Sequence, residues 1–133
     1  MRNNDLLYEV ALDKDSKLII ITYAIKYSNC DFIHAVQVKP FIRSNYTKIF
    51  ESKKLNNFVD IGYYDNPLIK TYGFTRKKEL AELYKEKYEK LIKFAYYDNL
   101  ISDKIESIDY YKTKEFKLKE EIATLNAKIN SFN

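Results

Sequence analysis

The chain contains few of the residues that interrupt regular structure. Two glycines and two prolines in 133 residues leave little material for tight turns, so long regular elements are expected. The glycines, Gly62 and Gly73, stand far apart. That excludes the glycine-rich phosphate loops of dinucleotide and nucleoside-triphosphate folds. Cys30 is the only cysteine and His34 the only histidine. A lone cysteine cannot form an internal disulfide, and it points to a reducing compartment. One cysteine and one histidine fall short of the three or four ligands of a zinc site. A Cys–His nucleophilic pair would also need an orienting group and an oxyanion site. Cys30 therefore reads as a turn thiol, and His34 as a residue packed among Phe32, Val36 and Val38. No serine stands in a nucleophile-elbow context. No apolar run approaches the ~20 residues of a membrane-spanning helix, and no signal-peptide pattern is present. The expectation is a cytoplasmic protein with no membrane segment, cofactor, metal or catalytic set.

Aromatic residues are plentiful. Thirteen tyrosines and eight phenylalanines, in a chain that is 46% hydrophobic, are too many for a disordered polymer. A chain of this length makes one domain with a useful core. Lys, Asn, Ile, Tyr and Phe dominate while Gly, Ala, Arg and Pro are scarce, the signature of an AT-rich coding sequence. A low-GC bacterium, its phages or its plasmids fit that composition. The net charge of +4 is spread evenly, with +2 on residues 1–74 and +2 on residues 75–133. A dedicated DNA-binding domain concentrates its basic charge on one element.

The pattern divides at Gly73-Phe74-Thr75 into a β-rich half, 1–74, and a helical half, 75–133. In the first, Leu6, Tyr8, Val10 and Leu12 alternate loosely, and Asp13-Lys14-Asp15-Ser16 reads as a turn. Ile19, Ile21, Tyr23, Ile25 and Tyr27 share one face of the best strand. Ser28-Asn29-Cys30-Asp31 is the next turn. Phe32, His34, Val36 and Val38 form one face of a third strand that Pro40 ends. Short connections favour an antiparallel meander. Ser44 or Asn45 is placed to cap a short helix carrying Tyr46, Ile49, Phe50 and Lys53. Segments 58–64 and 68–74 read as two further strands around an Asp65-Asn66-Pro67 turn.

Thr75 is then a candidate N-cap. Leu80, Leu83 or Tyr84, Tyr88, Leu91, Ile92 and Ala95 follow at helical spacing. Glu86–Lys90 and Glu89–Lys93 are favourable i,i+4 pairs. Asp98-Asn99, or Ser102, marks a break. A second helical seam carries Ile101, Ile105, Ile108, Tyr111, Leu118, Ile122, Leu125, Ile129 and Phe132, and its last five positions are spaced as heptads. The expected fold is α+β: a meander of three to five strands, with or without a short helix, and then two long helices in an antiparallel hairpin. One continuous helix is the alternative. At ~1.5 Å per residue, such helices outrun a small sheet. Leu118, Ile122, Leu125 and Ile129 are therefore candidates for self-association into a homodimer.

Candidate sites follow from the same pattern. A turn near Asn99–Ser102 would bring Lys85, Lys87, Lys90 and Lys93 level with Lys112, Lys114, Lys117 and Lys119. Tyr84, Tyr88, Tyr110 and Tyr111 would lie beside this belt. Lysine next to tyrosine suits phosphates and stacked bases. With only Arg2, Arg43 and Arg76 present, base readout by bidentate arginine is disfavoured. Tyrosine-rich surfaces also suit protein partners. Asp31 followed by Glu51-Ser52-Lys53 loosely matches the carboxylate and Glu-x-Lys spacing of metal-dependent nucleases. Tyr63-Tyr64-Asp65-Asn66 recurs 33 residues later as Tyr96-Tyr97-Asp98-Asn99, near the period of some helical repeats.

The leading expectation is a non-enzymatic interaction protein of phage or mobile-element type. It would dock on a host protein or ribonucleoprotein, for instance as a counter-defence blocker of an RNA-guided nuclease. Direct nucleic-acid binding through the lysine belt is the alternative. A small nuclease or a nucleotide-sequestering protein ranks behind both.

Overall fold

A computed structural model of the chain describes residues 5–40, 46–61, 70–102 and 108–132. Five strands precede two helices: β1 (Leu6–Leu12), β2 (Leu18–Ser28), β3 (Phe32–Lys39), β4 (Thr47–Glu51), β5 (Thr71–Thr75), α1 (Lys78–Ser102) and α2 (Ile108–Asn130). One antiparallel sheet in the order β4-β3-β2-β1-β5 is followed by the long helices, which is the α+β arrangement that the patterning predicts. The chain divides into two compact units. One comprises residues 1–59 with 68–82, the other residues 60–67 with 83–133.

In the sheet unit the expected turns form. Asp13 Oδ1 accepts the N–H groups of Asp15 and Lys17, and Asn29 Oδ1 accepts those of Asp31 and Phe32. Such side-chain bonds to the following backbone are the reason Asp and Asn favour turns. β1 reverses the expected set. Lying between β2 and β5, β1 is covered on both sides, and it buries Leu7, Glu9 and Ala11 as well as Val10. β3 keeps its predicted alternation but turns the opposite set inward. Ile33 and Ala35 are buried, while Phe32 and Val38 are exposed. Tyr27 leaves the face of Tyr23 and Ile25 because the register shifts between Ile25 and Tyr27. A bulge of this kind sends the following side chains to the other side. Tyr27 then meets His34 edge-on, with ring centroids 5.5 Å apart.

The short helix expected after Ser44 or Asn45 is replaced by β4, which pairs with β3 from Phe32↔Glu51 to Val36↔Thr47. Thr47 and Ile49 are β-branched and Phe50 is aromatic, so local preference and an available sheet edge agree. Residues 41–45, which hold the proposed cap, and 62–69, which hold the first Tyr-Tyr-Asp-Asn copy, lie outside the described residues. Of the two further strands, Thr71–Thr75 forms, while Phe58–Ile61 carries no strand. Instead Asn56 N–H donates to Phe74 O and Val59 N–H to Tyr72 O, so this segment lies along β5. The approach is close at Gly73, where a Cβ would come within 2.8 Å of Phe58 Cα.

Thr75 ends β5, and its hydroxyl accepts the Lys77 N–H at 3.1 Å. Lys77, not Thr75, holds the cap position, since its carbonyl accepts the first helical bond from Ala81.

In the helical unit α1 and α2 are antiparallel. Lys90 bonds Glu121, Lys119 lies over the Phe94 ring, and Tyr97 stacks near Tyr111. The midpoint of each pair falls between residues 104 and 107, later than a turn at Asn99–Ser102 would place it. Ser102 is the predicted break that matches, and Asp98-Asn99 is helical. Leu118, Ile122, Leu125 and Ile129 are all buried within a single copy, so the heptad seam is already covered. Among the described residues, no helix is long and apolar enough to cross a membrane.

Candidate functional site

The observed pairing of α1 with α2 redistributes the lysines of the predicted belt. Around Glu121 stand Lys90, Lys117 and Lys93, whose charges, with the Lys90 hydrogen bond foremost, hold its carboxyl below the ordinary range. The bond to Glu121 takes the place of the predicted Glu86–Lys90 pairing for Lys90. Lys85 pairs with Glu89 at 3.1 Å. Tyr88 is 1% exposed and belongs to the core, not to a partner surface. Its burial follows from the same helical spacing that places Leu91 inside.

Nearer the turn the arrangement is aromatic. Tyr96, Tyr97, Tyr111 and Tyr110 form a continuous run with successive centroids 5.6, 5.8 and 5.5 Å apart. Edge-on and tilted packing of this kind is favourable for rings. Tyr96 is 61% exposed and Tyr110 55%. Lys114 extends over Tyr110, 5.2 Å from its centroid. Lys112 is exposed on the same turn of α2. Phe116, two residues beyond Lys114, is also exposed. The structure thus brings Tyr110, Tyr111 and Lys114 together with Tyr96 and Tyr97, which the lysine argument missed. The doubled Tyr-Tyr-Asp-Asn tetrapeptide was the available signal for them.

Acidic groups temper this patch. Asp98 and Glu115 meet between the helices. Burial first, then the hydrogen bond and charge of Asp98, hold the Glu115 carboxyl above its ordinary value. The patch therefore carries aromatic surface with charges of both signs, unlike the uniformly basic groove of a phosphate-tracking protein.

Two hollows lie in the sheet unit. One, of about 400 Å³, is lined by Glu9, Ile21, Tyr23, Tyr46, Lys48 and Lys70 among others. At its base Glu9 is 1% exposed. It accepts bonds from Tyr23 Oη at 2.8 Å, Lys48 Nζ at 2.5 Å and Thr71 Oγ1 at 3.0 Å. Both carboxylate oxygens are occupied, so the cluster is a satisfied buried network. Burial and then the adjacent Glu9 push the Tyr23 phenol above its usual range, which keeps the hydroxyl a donor.

The other hollow, about 410 Å³, is lined by Cys30, Asp31, Phe32, Glu51 and Lys53. Pairing of β3 with β4 thus brings Asp31, Glu51 and Lys53 to one end of the sheet. Glu51 there faces Lys54 at 3.5 Å and Lys53 at 4.0 Å. No group of three or more His, Cys, Asp or Glu side chains able to hold a metal occurs among the described residues.

Comparison with known protein families, curated proteins and solved structures gives no match to this chain.

Proposed function

We propose that the chain is a non-enzymatic interaction protein of phage or mobile-element type. It docks on a host protein or ribonucleoprotein, such as an RNA-guided nuclease, and modulates or inhibits it. The exposed tyrosine run at the turn end of the hairpin carries this reading. Tyr96 and Tyr110 offer large rings with hydroxyl handles, the combination enriched at protein interfaces. Lys112 and Lys114 add charge at its border, where it speeds encounter more than it adds affinity.

The test is affinity purification from the native host at low and high salt, with wild type beside Tyr96→Ser/Tyr110→Ser. One protein retained at both salts by wild type and lost with the double variant supports the reading. A hydrolytic activity abolished by Asp31→Ala would overturn it. Direct nucleic-acid binding is the second reading, favoured by the convergence of Lys90, Lys93 and Lys117. It requires an affinity that falls steeply with salt, and Lys114→Glu/Lys117→Glu must weaken it.

A further inference from the structure

β4 and β5 are the outer strands of the sheet, with β3, β2 and β1 between them. At ~4.8 Å per step they would stand roughly 19 Å apart in a flat sheet, beyond the reach of two phenylalanine side chains. Yet the rings of Phe50 on β4 and Phe74 on β5 approach to 4.7 Å between centroids. Lys48 of β4 likewise reaches Glu9 of β1, which also accepts from Thr71 at the start of β5. The sheet is therefore curled so that its two edges approach, in the manner of a partly closed barrel.

One set of alternating side chains fills the inside. The pairs Leu7↔Tyr23, Ile25↔Ala35 and Ile33↔Phe50 supply the apolar cluster, with Leu55 packed against it. Two residues further along β1 comes Glu9, and two further Ala11. There the hollow of about 400 Å³ opens, lined by residues of all five strands. It is the mouth of the curled sheet. Barrel mouths are among the places where small ligands bind, and this volume lies within the range of such pockets.

The lining decides the class of ligand. Ala11, Leu12 and Ile21 make part of the wall apolar. At the base Glu9 is matched by Lys48 and bonded by Tyr23 and Thr71, so that network is complete without a ligand. Among the described residues of the lining, Lys70 is the remaining charge. It is exposed and adjoins Leu12, whose N–H donates to Lys70 O at 2.8 Å. Tyr46, also largely exposed, adds a phenol. One cation beside an apolar wall matches a singly charged anion with an apolar body. A phosphate brings more charge and three strong acceptor oxygens, which this lining does not meet.

We propose that the mouth of the curled sheet binds a small monocarboxylic acid with an apolar, ring-sized body. The carboxylate meets Lys70, and the body lies on Ala11, Leu12 and Ile21. This site belongs to the sheet unit and draws nothing from the tyrosine run.

Titration of the isotope-labelled full chain with sodium benzoate, followed by amide chemical shifts, tests the assignment. Saturable shifts are expected at Ala11, Leu12, Ile21 and Thr71, and none at Tyr96 or Tyr110. Lys70→Glu exchanges an attraction for a repulsion and should weaken benzoate binding by about fivefold or more. Because the Lys70 side chain is exposed, the amide spectrum away from the mouth should match wild type. Benzyl alcohol, the neutral counterpart, should bind more weakly than benzoate and be indifferent to Lys70→Glu. Benzoate shifts that do not saturate, shifts centred on the tyrosine run, or an affinity unchanged in the folded Lys70→Glu variant overturn the proposal.

Discussion

The sheet and the helical hairpin bury their interiors by different chemistry. The hairpin closes over a run of aliphatic and aromatic side chains, with Leu91, Phe94, Leu118, Ile122 and Leu125 all buried. The sheet combines an apolar cluster of Leu7, Tyr23, Ile25, Ile33, Phe50 and Phe74 with one buried carboxylate. Glu9 is tolerated there because three donors satisfy it. Apolar burial is adaptable, whereas a polar network specifies geometry and fails when one member is lost. Substitutions in the two units should therefore fail differently.

The largest effect is expected in the hairpin. Ile122→Ala removes a buried aliphatic group and should cost about 3–4 kcal/mol, within the range for such truncations. Urea unfolding followed by circular dichroism measures it. A cost below ~1 kcal/mol would mean that the seam does not pack as described. Glu9→Ala comes next, at about 2–4 kcal/mol, because Tyr23 Oη and Thr71 Oγ1 lose their acceptor while Lys48 still reaches water. Glu9→Gln keeps the shape and an acceptor, and should cost less than half as much. Equal losses for both variants would show that charge, not hydrogen bonding, dominates this network. Gly73→Ala ranks third, at about 1–3 kcal/mol, since its Cβ would press on the Phe58 backbone and force the sealing segment off β5. Faster amide exchange confined to Asn56 and Val59 is the expected signature.

The same contrast explains what could be read in advance. Helical periodicity marks a single face, so the spacing of Leu80, Tyr88 and Leu91, and of Leu118, Ile122, Leu125 and Ile129, is enough to define an apolar seam. Strand alternation marks two faces without saying which one is covered. In β3 both sets are largely apolar, Phe32/His34/Val36/Val38 against Ile33/Ala35, and the inward choice depends on what packs on the sheet. In β1 alternation sets Glu9 on the face opposite Tyr8 and Val10, and its three distant donors give the reason it can be buried there. The separation from Thr71 along the chain is 62 residues, beyond any local pattern. The tyrosine run was half legible. Spacing singles out Tyr110, Tyr111 and Lys114, but the hairpin register it suggests is displaced by a few residues. That displacement hides the meeting of Tyr97 with Tyr111.

The smallest expected effect is electrostatic, and it sets two levels of the hairpin against each other. Glu121 is held below its ordinary value, chiefly by Lys90. Its contribution is present above the ordinary carboxylate range and lost as pH falls through the lowered value. Glu115 is held above its ordinary value of 4.5 by burial and by Asp98. Its contribution has the opposite sign. It is fully present below that ordinary value and lost as pH rises through the raised one. Above the raised value the Glu115 carboxylate is therefore disfavoured, by burial first and then by the charge of Asp98, while the Lys90–Glu121 level is satisfied. Glu115→Gln should raise the thermal midpoint slightly at pH 7 and leave it unchanged at low pH, whereas Glu121→Gln should lower it at pH 7 only. Because Asp98 and Glu115 sit beside the tyrosine run, relief of that penalty should also slow amide exchange around Tyr97 and Tyr111. If Glu115→Gln lowers the midpoint at pH 7, Glu115 acts through a favourable contact to Lys112 or Lys119 instead, and the proposed contrast between the two levels fails.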